Sequence, residues 1–142
     1  MVQFTFCLIQ VEGLLEHEEV DPARLRALES EIERDGELRE PVIVDGGSLV
    51  ILDGHHRVSA LKSLGCQLVP AYLVDYRDPR INVRPRRPDL PVTKEDVVRA
   101  GRLRQPYPPK TSRHEFDSPP AVRPVPLAAL AALAAPAAGR RS

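Results

Sequence analysis

The sequence has no tryptophan, a single methionine and two cysteines. Cys7 and Cys66 have no C-x-x-C partner, which excludes a disulfide framework and a structural zinc site. Both read as small buried hydrophobes in a reducing compartment. Net charge is also lacking: Lys+Arg and Asp+Glu each come to 20. A uniformly basic coat for nucleic acid is therefore excluded, and no nucleic-acid partner is expected. The longest apolar run, Leu127–Ala135, is about half the roughly 20 residues needed to cross a bilayer. No basic-then-apolar leader opens the chain and no internal repeat is visible. The expectation is a soluble, cytoplasmic protein with no membrane partner.

What is present is unevenly distributed. The 142 residues amount to one ordinary domain. Residues 1–60 hold 13 acidic and 5 basic side chains, whereas residues 61–142 hold 7 and 15. The basic half could grip phosphates. Proline is just as lopsided, with 3 of 15 in residues 1–78 and 12 beyond. The compact core is thus expected mainly from the first half.

Val2–Val11 reads as a strand, and residues 13–20 as a loop carrying His17, Glu18 and Glu19. Asp21 as N-cap and Pro22 at the first helical position open a helix. Leu25, Leu28 and Ile32 form its inner stripe, and Gly36 ends it. Pro41–Val44 and Leu49–Leu52 flank Asp45-Gly46-Gly47-Ser48, a hairpin in which glycine is expected to supply positive φ. A second helix is predicted with Asp53 as N-cap and Gly65 as its stop. Leu68–Val74 returns as a strand in which Pro70 implies an edge or a bulge. Residues 77–91 show no periodicity and read as an Arg/Pro-rich loop. Thr93 caps a short helix, Lys94–Ala100, with Asp96 placed for a capping box. Residues 107–114 read as irregular. Leucines 127, 130 and 133 mark a small docking helix, with a frayed end from Pro136. Together these elements specify an α+β domain, a small mixed sheet flanked by helices.

Three clusters carry chemistry. In Asp53-Gly54-His55-His56-Arg57, a helix starts straight after a strand, so its first N–H groups point outward at the positive end of the helix dipole. Gly54 lets a ligand approach, Arg57 adds a fixed positive fork, and the histidines add donors: an anion cradle suited to nucleotide phosphates. The same run also fits an Asp-capped helix with a polar first turn. Adjacent histidines point roughly 100° apart on a helix, so a shared metal site fits less well. In Pro109-Lys110-Thr111-Ser112-Arg113-His114, cations, hydroxyls and an imidazole could hold a small anion or a transferring phosphoryl group; a solvated basic loop has the same composition. In His17-Glu18-Glu19, a carboxylate leaving a strand could orient a hydroxyl nucleophile or act as its base.

Taken in order, His17-Glu18, Asp53-Gly-His-His-Arg57 followed by Ala60-Leu61 and Leu64-Gly65, and Pro109-Lys-Thr-Ser-Arg-His114 resemble the free L-serine kinases of the ParB/sulfiredoxin-like superfamily. The resemblance spans about residues 3–116. It implies transfer of a phosphoryl group from ATP or ADP, with Mg²⁺, to the hydroxyl of free L-serine. It implies Glu18 as the catalytic residue and Asp53, Gly54, His55, His56 and Arg57 as phosphate-binding. Lys110, Thr111, Ser112, Arg113 and His114 would line the substrate and phosphoryl site. Asp53 then has two readings, N-cap or Mg²⁺ ligand. The stretch before the last motif is short, and Arg84-Pro-Arg-Arg87 stands where that family often has a tryptophan. Domain limits follow: residues 1–116 as the kinase domain, with 77–92 its Pro/Arg-rich loop, and 117–142 as a Pro/Ala-rich extension. A sulfiredoxin would need cysteine where His55 stands, and a chromosome-partitioning ParB would need a helix-turn-helix after residue 75. The alternative is a ParB-like nucleotide-binding regulator, or DNA-associated protein, without kinase activity; an inactive nucleotide binder is a third reading.

Overall fold

The computed structural model describes residues 1–131. Its first strand, β1 (Thr5–Gln10), runs into a 3₁₀ turn at Val11–Gly13 and a connecting segment that leads to α1 (Pro22–Asp35). The Asp21 carboxylate accepts from the Ala23 N–H at 2.9 Å, Pro22 opens the helix, and Gly36 closes it at φ 71°. These are the caps that local chemistry predicts. After β2 (Glu37–Leu38), strands β3 (Val42–Asp45) and β4 (Ile51–Asp53) form the expected hairpin. Glycine is not what turns it. The positive φ falls on Leu49 (65°). The Asp45 carboxylate organises the turn, accepting from the amides of Gly47 and Ser48 and, at 2.7 Å, from the Ser48 hydroxyl.

Next come α2 (His55–Ser63) and β5 (Leu68–Val74). The main sheet has the order β1-β5-β3-β4, with β5 antiparallel to β1 and parallel to β3. Pro70 therefore lies neither in an edge strand nor at a bulge. It sits opposite Leu8, one residue before the first β3 rung at Val42–Ala71, where β5 has a single strand neighbour. A missing N–H costs little there.

The Arg/Pro-rich stretch is not all loop. It holds β6 (Asn82–Pro85), which pairs antiparallel with β7 (Ser112–Glu115), so the segment 107–114, read as irregular, ends in strand. Between them lies α3 (Lys94–Arg102), whose Thr93–Asp96 capping box forms as predicted. β8 (Val125–Pro126) pairs with β2, and α4 (Leu127–Ala131) buries Leu130 completely. Leu133 and the expected frayed end from Pro136 lie outside the described residues.

Both faces of the sheet are covered, which explains its nearly continuous apolar strands. Val42, Val44, Ile51, Val69 and Ala71 pack with Ile32, Val58, Leu61 and Leu130. On the other face Ile43, Val50, Leu52 and Val74 meet Ile81, Val97 and Tyr76. The alternation of Val42, Ile43 and Val44 between the two clusters is the period of two a pleated strand imposes. Among the described residues, no helix is long and apolar enough to cross a membrane.

Candidate active site

The segment carrying His17 and Glu18 is fixed on both sides. Leu15 bridges Val50 in parallel, its N–H donating to the Leu49 carbonyl at 2.9 Å. Three residues on, Glu18 bridges Tyr107, with Glu19 N–H to Tyr107 O at 2.7 Å and Tyr107 N–H to His17 O at 2.8 Å. This clamp lies between the outer edge of β4 and the approach to β7. It aims Glu18 at the start of β7, where Oε1 accepts from the amides of Thr111 (2.6 Å) and Ser112 (3.0 Å). Oε2 carries no hydrogen bond among the described residues. Burial pushes the Glu18 carboxyl above its ordinary pKa, and the two amides together with the charges of Arg86 and Arg87 pull it back.

The three clusters found in the sequence line one cleft of about 770 Å³: Glu18, Asp53 to Arg57, and Lys110 with Ser112 to His114 all face it. A larger hollow of about 1360 Å³, between the β3–β4 turn and α3, contains none of them. Inside the cleft many of their side chains are already engaged within the protein. Gly54, not Asp53, is the N-cap of α2, at φ 114° and without a side-chain cap. Packing alone requires glycine at position 54. A Cβ there would lie 2.5 Å from Val42 Cγ1, so the β3 side chain excludes any other residue. Asp53 ends β4 with its carboxylate 61% exposed and 3.5 Å from Arg57 Nη2. Arg57 braces the β2–β3 connection, donating to the carbonyls of Glu40 (2.7 Å) and Pro41 (3.2 Å). The amides of His55, His56 and Arg57 occupy the first turn of α2, which has no intrahelical acceptors. None has a partner among the described residues, and their residues line the cleft at the positive end of the helix.

All four histidines are held as neutral acceptors. His17, 1% exposed, donates from Nδ1 to the Ile51 carbonyl (2.7 Å), so Nε2 must accept from the Ser112 hydroxyl (3.1 Å). His114 accepts from the Tyr76 hydroxyl at Nε2 (2.7 Å). His55 accepts from the His17 N–H (3.2 Å), and His56 from the Asp21 N–H (2.9 Å). The His17 ring centroid lies 4.5 Å from that of His55 and 5.7 Å from that of His114. Burial lowers the pKa of each, to about 4 for His17 and about 3 for His114, and well below the ordinary value for His55. In His55 and His56 an Nε2 proton would also face a backbone N–H that cannot turn away.

What the cleft receives from these motifs is thus more backbone than side chain. The His55 imidazole points into the core, and His114 is engaged with Tyr76. The Thr111 hydroxyl donates to Pro108 O (2.6 Å) and that of Ser112 to His17, so neither hydroxyl proton is free for a substrate. Lys110, at φ 60°, and Arg113 are exposed on the cleft, and Arg86, which the motifs do not include, joins them. Arg86, on the cleft, and Tyr76, which bonds His114 and lines the neighbouring hollow, are positions the motifs do not include. The unbroken charge of Arg84-Pro-Arg-Arg87 was the available signal for Arg86; nothing local marked Tyr76. Among the described residues no group of three or more His, Cys, Asp or Glu could hold a metal unaided.

No protein-family model matches this chain. It is 40% identical over 81 residues, 54% of its length, to an ATP-dependent L-serine kinase of Staphylothermus marinus. It is 32% identical over 102 residues, 66% of its length, to an ATP-dependent L-serine kinase of Desulfurococcus mucosus. The chain spans about 32% and 40%, respectively, of these relatives' own lengths. The solved structure of a free serine kinase in complex with AMP superposes with a TM-score of 0.78 at 16% identity, covering 88% of this chain and 93% of that one. The resemblance carried by the three motifs is thereby borne out: the chain is similar in sequence to ATP-dependent L-serine kinases and has the α+β fold of a free serine kinase.

Proposed function

We propose that this protein transfers a phosphoryl group from a nucleotide to the hydroxyl of free L-serine, giving O-phospho-L-serine. The observation that carries the reading is one cleft that joins an amide-pinned carboxylate, Glu18, to the three unpaired amides at the start of α2. Those amides, with Lys110 and Arg113, would hold the phosphates. The serine oxygen would attack the terminal phosphorus while the bond to the bridging oxygen breaks. The departing nucleotide takes that electron pair, and the hydroxyl proton passes to Glu18. In a loose transition state little charge develops early on the nucleophile, so fixing Oε1 with two amides matters as much as basicity. Burial supports the base role because it raises proton affinity. The names of the two relatives favour ATP over ADP as the donor.

Mg²⁺ fits this site as a phosphate-bound ion. Mg²⁺ is commonly held by one or two carboxylates plus substrate phosphates and waters, and Asp53 offers one exposed carboxylate at the foot of the helix. When bound, the ion would neutralise phosphate charge. A cytoplasmic setting is consistent with Cys7 and Cys66 being free thiols.

The test is to incubate the protein with L-serine, Mg²⁺ and ATP or ADP and to follow O-phosphoserine by phosphorus NMR. Glu18→Gln keeps an oxygen for the Thr111 and Ser112 amides but removes the base. It should lower kcat by about 10²–10⁴-fold and leave nucleotide affinity within about twofold. Turnover undiminished in Glu18→Gln would remove Glu18 from catalysis. Absence of O-phosphoserine with either donor would end the kinase reading.

A further inference from the structure

The β6–β7 ribbon has two unlike faces. Ser112 and His114 turn toward His17 and Tyr76. Arg84 and Arg113, opposite one another in register, are exposed on the other face. Glu115 neutralises Arg84 at 2.7 Å. Arg113, Lys110 and Arg86 have no carboxylate within ion-pair distance among the described residues.

Arg86 extends the ribbon by one rung. Its N–H donates to the Thr111 carbonyl at 2.8 Å, next to the Pro85–Ser112 pair, and Thr111 and Ser112 are the residues whose amides hold Glu18. Arg87 ties the segment down a second time, donating to the Pro109 carbonyl at 2.6 Å while its Nε is buried without a partner. The Arg86 side chain is left exposed on the cleft, on a backbone of fixed position relative to Glu18. Of the three unpaired cations, Arg86 is the one whose own amide is bonded to the residue that holds Glu18.

The geometry points to Arg86 as the residue that receives the carboxylate of the acceptor, so that the site selects hydroxyl compounds bearing a carboxylate close to the reacting oxygen. This rests on the phosphotransfer reading above. A guanidinium offers a carboxylate two parallel N–H donors, and an ammonium does not. With Arg86 tethered to Thr111 and Glu18 to the Thr111 amide, the spacing between bound carboxylate and catalytic oxygen is set by one short piece of backbone.

The experiment compares L-serine with serinol, in which a hydroxymethyl group replaces the carboxylate, on the unmodified protein, Arg86→Ala and Arg86→Lys. Nucleotide binding is measured in parallel by calorimetry. Losing a charge-assisted hydrogen bond should raise the serine KM of Arg86→Ala about 10- to 100-fold, with kcat changed less and nucleotide Kd unchanged. The preference for serine over serinol should collapse by a similar factor, and lysine should restore part of it. If Arg86→Ala keeps the serine preference, or weakens nucleotide binding as much as serine use, Arg86 does not hold the carboxylate and the kinase reading survives. No phosphotransfer from the unmodified protein to either acceptor overturns both.

Discussion

Lowering the pH from 7 to 5 should cost this fold a large share of its stability, and the histidines around Glu18 supply the magnitude. His17 is unprotonated in the folded state down to about pH 4, whereas an unfolded histidine titrates near 6.5. A base with a depressed folded pKa leaves the unfolded chain holding more protons. Stability is therefore intact above the unfolded pKa and lost as pH falls toward the folded one. By pH 5 the unfolded side chain has gained about 1.5 pH units of protonation, which withdraws about 2 kcal/mol for His17 relative to pH 7. His114, with a folded pKa of about 3, withdraws a comparable amount, and His55 acts in the same sense. Glu18 has the opposite sign because its raised carboxyl pKa favours protonation in the fold. The aspartates with lowered pKa, such as Asp96 and Asp117, lose their contribution only as pH falls through the carboxylate range near 4 and below. Between pH 7 and 5 the histidines dominate, and the loss of about 4 kcal/mol is a sizeable part of the roughly 5–15 kcal/mol typical of a domain. Urea unfolding followed by far-UV circular dichroism measures it. With a slope of about 2 kcal/mol per molar, the midpoint should fall by about 2 M. His17→Gln should be less stable at pH 7 and show a flatter pH profile. A midpoint shift below about 0.5 M in the unmodified protein would refute the description of these imidazoles as buried neutral acceptors.

Two further substitutions test the packing that shapes the cleft. Gly54→Ala places a Cβ 2.5 Å from Val42 Cγ1 at a φ of 114°. It should destabilise by about 2–4 kcal/mol, from overpacking and backbone strain together, and should weaken nucleotide binding in calorimetry. Leu130→Ala removes a fully buried side chain of α4 and should cost about 2–5 kcal/mol in urea unfolding. A loss below about 0.5 kcal/mol would show that α4 does not pack on the core.

The parts of the fold readable from the sequence are those whose cause is local. Asp21, Pro22 and Gly36 bound α1, and Thr93 with Asp96 bounds α3, because capping chemistry acts within one turn. The β3–β4 hairpin was legible too, though the glycines misled about its turn: the Asp45 carboxylate organises it through donors up to three residues away. β6 and β7 were not legible. A four-residue strand reading Asn-Val-Arg-Pro has one apolar side chain and no period. It exists because a partner about 30 residues away supplies the ladder and Glu115 meets Arg84 across it. Likewise nothing near Pro70 tells that β3 begins one residue too late to need its missing N–H.

At the cleft, the sequence pointed to stretches that the fold brings together, and residue type alone did not show which of their atoms have internal partners. Residue types advertise side chains, so Thr111 and Ser112 read as hydroxyl donors and His55 and His56 as imidazole donors. In the fold each of those hydroxyls has an internal partner and each imidazole accepts a backbone N–H at Nε2; the amides of Thr111 and Ser112 hold Glu18, and those of His55 and His56 are left unpaired among the described residues. The exchange has a physical logic. An amide cannot lose its proton or swing away, so it presents the same donor to an anion at any pH near neutrality. Neutral histidines 17 and 55, packed where a cation could not be tolerated, tie the segment before Glu18 to α2 and β7 without adding a buried charge. Charge that must vary with the ligand is left to Lys110, Arg113 and Arg86, on the exposed rim where rearrangement is cheap. Residue identity at Thr111, Ser112 and His55 thus fixes a backbone path, and on the proposed reading residue identity at Glu18 and Arg86 would set the chemistry that path presents.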